Sequence, residues 1–134
     1  MLFRSEIIAE KIRAAYQRRR ARDVFDLYLL QRQPFDRSLV RTLVVLKLWS
    51  VEDAFDPEPF LARLSSAQYE WDDLTRLIRR DQQPSPKEVI AGCLRGYTFL
   101  RDLTPAERAL AQDRRRSRQD LFRDLTQRLA NRSQ

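Results

Sequence analysis

Two aspartates three residues apart, Asp23 and Asp26, follow an arginine at position 22 in the run RDVFDL. On a helix, positions i and i+3 share a face, so both carboxylates would project the same way. A pair so placed could hold Mg²⁺ or accept a proton from an attacking hydroxyl. Arg22 and Asp26 also have the i, i+4 spacing of a helical ion pair. Two structural readings compete: a surface salt-bridge ladder, or Asp23 as the N-cap of a helix that starts there. Lys11 borders the apolar stripe of the preceding helical run. A phosphate-binding lysine needs that placement, with its stem packed and its ammonium at a cleft edge. The plain alternative is a snorkelling surface lysine paired with Glu6 or Glu10.

Arginines supply the other candidates. Arg18, Arg19 and Arg20 form one cluster and Arg114, Arg115, Arg116 and Arg118 a second. Either could track a nucleic-acid backbone, each neutralised phosphate adding a salt-sensitive increment. Either could equally be a solvated helix face. The second cluster has almost no aromatic interleaving, so base stacking is not indicated there. The net charge of +7 favours polyanions such as RNA, DNA or nucleotide phosphate. Lys11, Lys47 and Lys87 are the only lysines; arginine suits bidentate phosphate contacts, and heavy arginine use is also a mark of genome composition. With no histidine and one cysteine, Cys93, the chain has no Ser-His-Asp triad, no Cys₂His₂ zinc site and no internal disulfide. Cys93 reads as a small buried helical side chain. Glycine-rich phosphate loops and GxSxG elbows do not occur.

These residues need elements to hold them, and the pattern is helical nearly throughout. The 134 residues make one domain, with 43% hydrophobic residues and only two glycines, too few for a turn-rich β fold. Ser5 reads as the cap of a first helix carrying Ile8, Ile12, Ala15 and Tyr16. Val24, Leu27 and Tyr28 continue the apolar pattern. The intervening QRRRAR has no glycine or proline, so a tight turn and one long helix both fit. Gln33-Pro34 ends this unit. Asp36 caps a helix with Leu39, Val40, Leu43, Val44 and Leu46, and Asp56-Pro57 starts a short one with Phe60, Leu61 and Leu64. Another runs from about Trp71 through Ile78. Gln82 to Pro86 is the clearest break. Ser85 with Glu88, and Thr104 with Glu107, read as capping boxes around prolines. The first starts a helix from Val89 to Leu100. The second starts a last helix, sparse from Gln112 to Gln119 and apolar again at Leu121, Phe122, Leu125 and Leu129. Gly92 and Gly96 have the spacing of a close helix crossing. The expected fold is an all-α, single-domain orthogonal bundle of about six to seven helices over residues 1–134.

The order of these motifs resembles the AbiEii/AbiGii family of nucleotidyltransferase toxins. There an acidic-then-lysine helix precedes R-D-hydrophobic-x-D-L, as Glu6 to Lys11 precede Arg22-Asp23-Val24-Phe25-Asp26-Leu27. The segments WDDLTRLI and FLRDLTPAERAL resemble that family's helical C-terminal portion. The resemblance implies a metal-dependent enzyme of toxin–antitoxin, abortive-infection (phage-defence) systems. It would use an NTP to modify RNA, with tRNA 3′ ends the attested class, and a cognate antitoxin would oppose it. It also implies that Lys11, Arg22, Asp23 and Asp26 form the nucleotide-binding set, with Lys11 touching NTP phosphates and Asp23 or Asp26 orienting the nucleotide or neighbouring side chains.

The family's catalytic metals are held by G-S/T and D-x-D motifs on an N-terminal palm, and only MLFR precedes Ser5 here. The expectation is therefore a helical half, truncated or split from its palm, with no catalytic or metal-binding residue of its own and inactive alone. Mg²⁺ and NTP are expected only in a complete enzyme, and no cofactor for the isolated chain. Expected partners are the palm half, an antitoxin or RNA. Exposed apolar residues around Ile7, Ile8 and Phe25 would favour a missing palm. Alternatives are a non-catalytic basic module that binds RNA or a protein, and a folded remnant. No apolar run approaches the roughly 20 residues of a membrane span, and a cytoplasmic location is expected.

Overall fold

The computed structural model describes residues 2–66 and 84–132. They form seven α-helices: α1 Leu2–Gln17, α2 Ala21–Gln31, α3 Arg37–Ser50, α4 Pro57–Ser65, α5 Pro86–Tyr97, α6 Pro105–Ala111 and α7 Gln119–Arg132, with a 3-10 turn at Thr98–Arg101 after α5. There is no strand among the described residues, so the fold is all-α. The helix expected from Trp71 to Ile78 lies outside the described residues.

The third helix is the central strut. Val40, Val44 and Leu48 are fully buried along it, and it packs against α1, α6 and α7. A helix with apolar residues on most of its faces must be enclosed. Each fully buried aliphatic side chain there contributes roughly 1.5–3 kcal/mol. Asp36 caps it as expected, accepting from Leu39 N at 3.1 Å. A buried ion pair ties it to α6: Arg41 Nε donates to Glu107 Oε1 at 2.6 Å, and Thr42 Oγ1 donates to Oε2 at 2.5 Å. Glu107 also accepts from Thr104 N while its own amide donates to Thr104 Oγ1, a complete capping box. Asp56 caps α4; Ser85 caps α5 by accepting from Glu88 N, but Glu88 returns no bond to Ser85 N, so the expected box there is only half formed.

Three further sequence expectations are corrected. Ser5 is not a cap: α1 already starts at Leu2, and Ser5 is buried inside it. The α5 helix gives way to the 3-10 turn at Thr98, before Leu100. The last helix is two helices, because the chain turns between Ala111 and Gln119. Asp113 holds that turn, accepting from Ser117 N, Ser117 Oγ, Arg118 N and Trp49 Nε1. Desolvation alone would raise its carboxyl; these bonds outweigh that and hold it down to about 2. Arg116, at φ 53°, takes the left-handed conformation within the turn. Its guanidinium lies 4.7 Å from the Trp49 ring centroid, and Trp49 stacks on Phe122 of α7 at 4.5 Å.

The first two helices form an antiparallel hairpin. Arg18 N closes α1 on Ala14 O, Arg20 is extended (φ −106°, ψ 132°), and Asp23 N then bonds Arg20 O to open α2. Arg4 Nη2 reaches Leu30 O at 3.0 Å, so the start of α1 lies beside the end of α2. The far side of α2 rests on α5, where Tyr97 Oη donates to Leu27 O at 2.6 Å and Cys93 Sγ to Val24 O at 3.3 Å. Burial pushes the Cys93 thiol up to about 12, so no reactive thiolate forms there at neutral pH. The glycines permit the close approach. A Cβ at Gly92 would lie 2.6 Å from the Tyr28 ring, and one at Gly96 2.7 Å from Gln31 Cβ.

Candidate functional site

The hairpin brings together residues that the sequence separates. Lys11 on α1 and Asp26 on α2 form an ion pair at 3.0 Å, with both side chains partly exposed (41% and 29%). Neither simple sequence alternative holds: Lys11 does not pair with Glu6 or Glu10, and Asp26 does not pair with Arg22. Glu10 instead binds Arg13, whose hydrogen bond holds its carboxyl below the usual range. Glu6 and Glu10 both approach Lys47 of α3, at 3.5 and 3.6 Å.

Asp23 has a different environment. Its side chain is only 5% exposed, and its Oδ1 accepts from Arg18 Nη2 at 2.9 Å. Its Oδ2 is buried without a hydrogen-bond partner. It sits in the first turn of α2 and not at the cap, which is Arg20. A negative charge there is favoured by the helix dipole. The shared helical face of Asp23 and Asp26 therefore does not become a shared site. The hairpin corner encloses one carboxylate beneath Arg18, and the other lies at the rim with Lys11.

This arrangement does not fit a divalent cation. Each carboxylate already faces a cation, and among the described residues no three His, Cys, Asp or Glu side chains gather as metal ligands. What the rim pair can do is present an ammonium, oriented by Asp26, to an incoming anion.

The setting of Lys11 is apolar on one side. Phe3 is 79% exposed and Ile7 40% exposed. With Glu6, Glu10, Lys11 and Lys47 they line an open groove of about 750 Å³. A second groove, of about 830 Å³, shares Glu6, Glu10 and Lys47 and continues over Leu43, Leu46 and Phe122. Of the apolar residues expected to be exposed, Ile7 is, but Ile8 is fully buried and Phe25 is half-buried. Phe3 carries no signal in the sequence, because it precedes Ser5, where the expected helix starts, whereas α1 begins at Leu2.

The arginine candidates divide by their partners. Arg18 is held by Asp23, Arg116 by Glu52 at 3.1 Å, and Arg118 by Asp120 at 3.1 Å. Arg19, Arg20, Arg22, Arg114 and Arg115 are exposed. Arg18 was legible in the sequence only as one member of a basic cluster. Its pairing with Asp23, five residues on, depends on the turn between the helices.

No helix among the described residues is long and apolar enough to cross a membrane. No curated protein and no solved structure matches the chain. The family described as "Nucleotidyl transferase AbiEii toxin, Type IV TA system" matches residues 2–116, which include the Lys11–Asp26 and Arg18–Asp23 pairs. The chain belongs to the AbiEii nucleotidyltransferase toxin family.

Proposed function

We propose that this chain supplies the helical, nucleotide- and RNA-facing part of an AbiEii-type nucleotidyltransferase, with Lys11 contacting NTP phosphates and Asp26 positioning it. The observation that carries this reading is the Lys11–Asp26 pair itself, at the rim of the α1–α2 hairpin beside an exposed apolar shelf. An ammonium so held needs little reorganisation to meet a phosphate. The metal-binding carboxylates required for nucleotidyl transfer would come from a palm seated on that shelf, joined to this chain or separate from it. Residues 2–66 and 84–132 then bind and orient, and do not carry out transfer by themselves.

The test is incorporation of α-labelled NTP into tRNA with Mg²⁺, by the chain alone and after co-expression with an AbiEii-family palm. The expected result is no labelling by the chain alone and labelling by the pair. Lys11→Ala and Asp26→Ala each lower that rate by about 10²–10³, as removal of a charge-stabilising donor or its positioning group does elsewhere. Full transfer rates in both variants would overturn the site assignment, and labelling by the chain alone would overturn the division of labour.

A further inference from the structure

The loop between α3 and α4 folds onto the end of α6, where Phe55 N donates to Ala111 O at 3.0 Å. The same loop is anchored to the end of α1: Tyr16 Oη donates to Ala54 O at 2.7 Å and accepts from Asp56 N at 3.2 Å. Between them lies a pocket of about 320 Å³, with Arg108, Gln112, Arg114, Asp56, Pro57 and Leu103 on its walls. At about 30 Å³ per water it holds on the order of ten waters, enough for a phosphate group with a sugar.

Arg108 and Arg114 flank the end of α6, and both are exposed. Neither side chain has an ion pair or hydrogen bond among the described residues. That sets them apart from Arg116 and Arg118, which acids already neutralise. Asp56 is the one acid on the pocket wall, and its Oδ1 is engaged by Glu58 N at the start of α4, where the helix dipole favours negative charge. The pocket therefore carries a net positive charge from two arginines, the side chain best suited to bidentate phosphate contacts.

One wall of the pocket, the 53–56 loop, is also bonded to the end of α1. Arg63 Nη2 donates to Ala15 O and Tyr16 O, and Gln17 Nε2 to Asp53 Oδ2, so the end of α1 abuts the 53–56 loop. Arg19 and Arg20 therefore follow a helix end that is bonded to the pocket's own wall.

We infer that Arg108 and Arg114 form a seat for a phosphoryl oxyanion, taken as a phosphodiester of single-stranded RNA whose backbone runs on toward Arg19 and Arg20. The RNA source rests on the proposed function; the seat itself does not. Two ligands separate these on the intact chain: a fluorescein-labelled 12-nucleotide oligouridylate followed by anisotropy, and AMP followed by NMR shifts. Because neither arginine supports the fold, R108Q/R114Q melts like the unsubstituted chain.

The expected result for the double variant is RNA affinity lowered about tenfold at 0.1 M salt, with the log–log salt slope reduced by about 1.4 for two lost phosphate contacts. Arg118→Gln, which removes an arginine already neutralised, changes affinity less than twofold. Loss of RNA binding with or without loss of AMP binding supports the seat with a polymer ligand. Loss of AMP binding alone keeps the seat and rejects the RNA source. Unchanged binding of both ligands, or no binding of either by the unsubstituted chain, overturns the seat. The transfer reading would survive that result, because it stands or falls on Lys11 in the palm complex.

Discussion

At the scale of single residues, the hairpin's two ion pairs have nearly equal lengths and unequal surroundings. Lys11–Asp26 is partly exposed, so solvent screening limits its contribution to roughly 0–1 kcal/mol. Loss of activity on cutting that pair would therefore be separable from loss of fold. Arg18–Asp23 joins an arginine that is 48% exposed to a carboxylate that is 5% exposed. The asymmetry fixes the order of two substitutions. Arg18→Ala leaves a buried carboxylate, already short of one partner at Oδ2, without its cation. We expect that to cost on the order of 1–3 kcal/mol. Asp23→Ala frees Arg18 to turn into water and forfeits mainly the charge at the start of α2, about 0.3–1 kcal/mol. Urea denaturation midpoints of the two variants check this. The reverse order would show that Arg18 is not what neutralises Asp23.

At the scale of elements, what the sequence shows depends on whether the signal is local. Caps are local: Asp36, Asp56, Ser85 and Thr104 each stand where their residue type places them, and the last three are followed by a proline. The breaks at residues 18–20 and 112–118 are not local. Neither contains a glycine or proline, and the second is held by Asp113 and by a tryptophan from another helix. The site shares this limit. Lys11, Asp23 and Asp26 stand out by type and spacing, but their partners are set by a turn the sequence leaves open. Gly92 and Gly96 were legible as a crossing, and the structure gives the crossing a sign. In an open helix, alanine in place of glycine would stabilise by about 0.8–1 kcal/mol. Here a Cβ meets the Tyr28 ring at one position and Gln31 Cβ at the other, neither a flexible side-chain end. Overpacking of that kind costs typically 1–3 kcal/mol and exceeds the propensity gain. Gly92→Ala and Gly96→Ala are therefore expected to lower stability, measured by denaturant unfolding. A gain in either variant would mean that α2 and α5 can separate without penalty.

At the scale of the whole molecule, the distribution of apolar and basic surface suggests two faces with different tasks. Arg19 and Arg20 follow the end of α1, and that end is bonded to the loop that walls the Arg108–Arg114 pocket. Phe3 and Ile7 lie toward the start of α1, so the helix spans from one surface to the other with Lys11 between them. Large apolar side chains held out on a stable helix mark an interaction surface more often than a defect. The chain belongs to a nucleotidyltransferase family, and under the proposed function a palm carrying the metal-binding carboxylates would cover this shelf. Phe3→Glu and Ile7→Glu test that directly. Both side chains already face solvent, so each variant should stay within about 0.5 kcal/mol of the original stability. Burying a carboxylate against an apolar partner surface has no compensating charge to meet it. Co-purification of a tagged palm with the chain should accordingly fall to background in the double variant, while RNA binding at the opposite end keeps its salt dependence. If the palm is still retained, it sits elsewhere on the bundle. If RNA binding falls with it, the two faces are not independent, and α1 links them as one site.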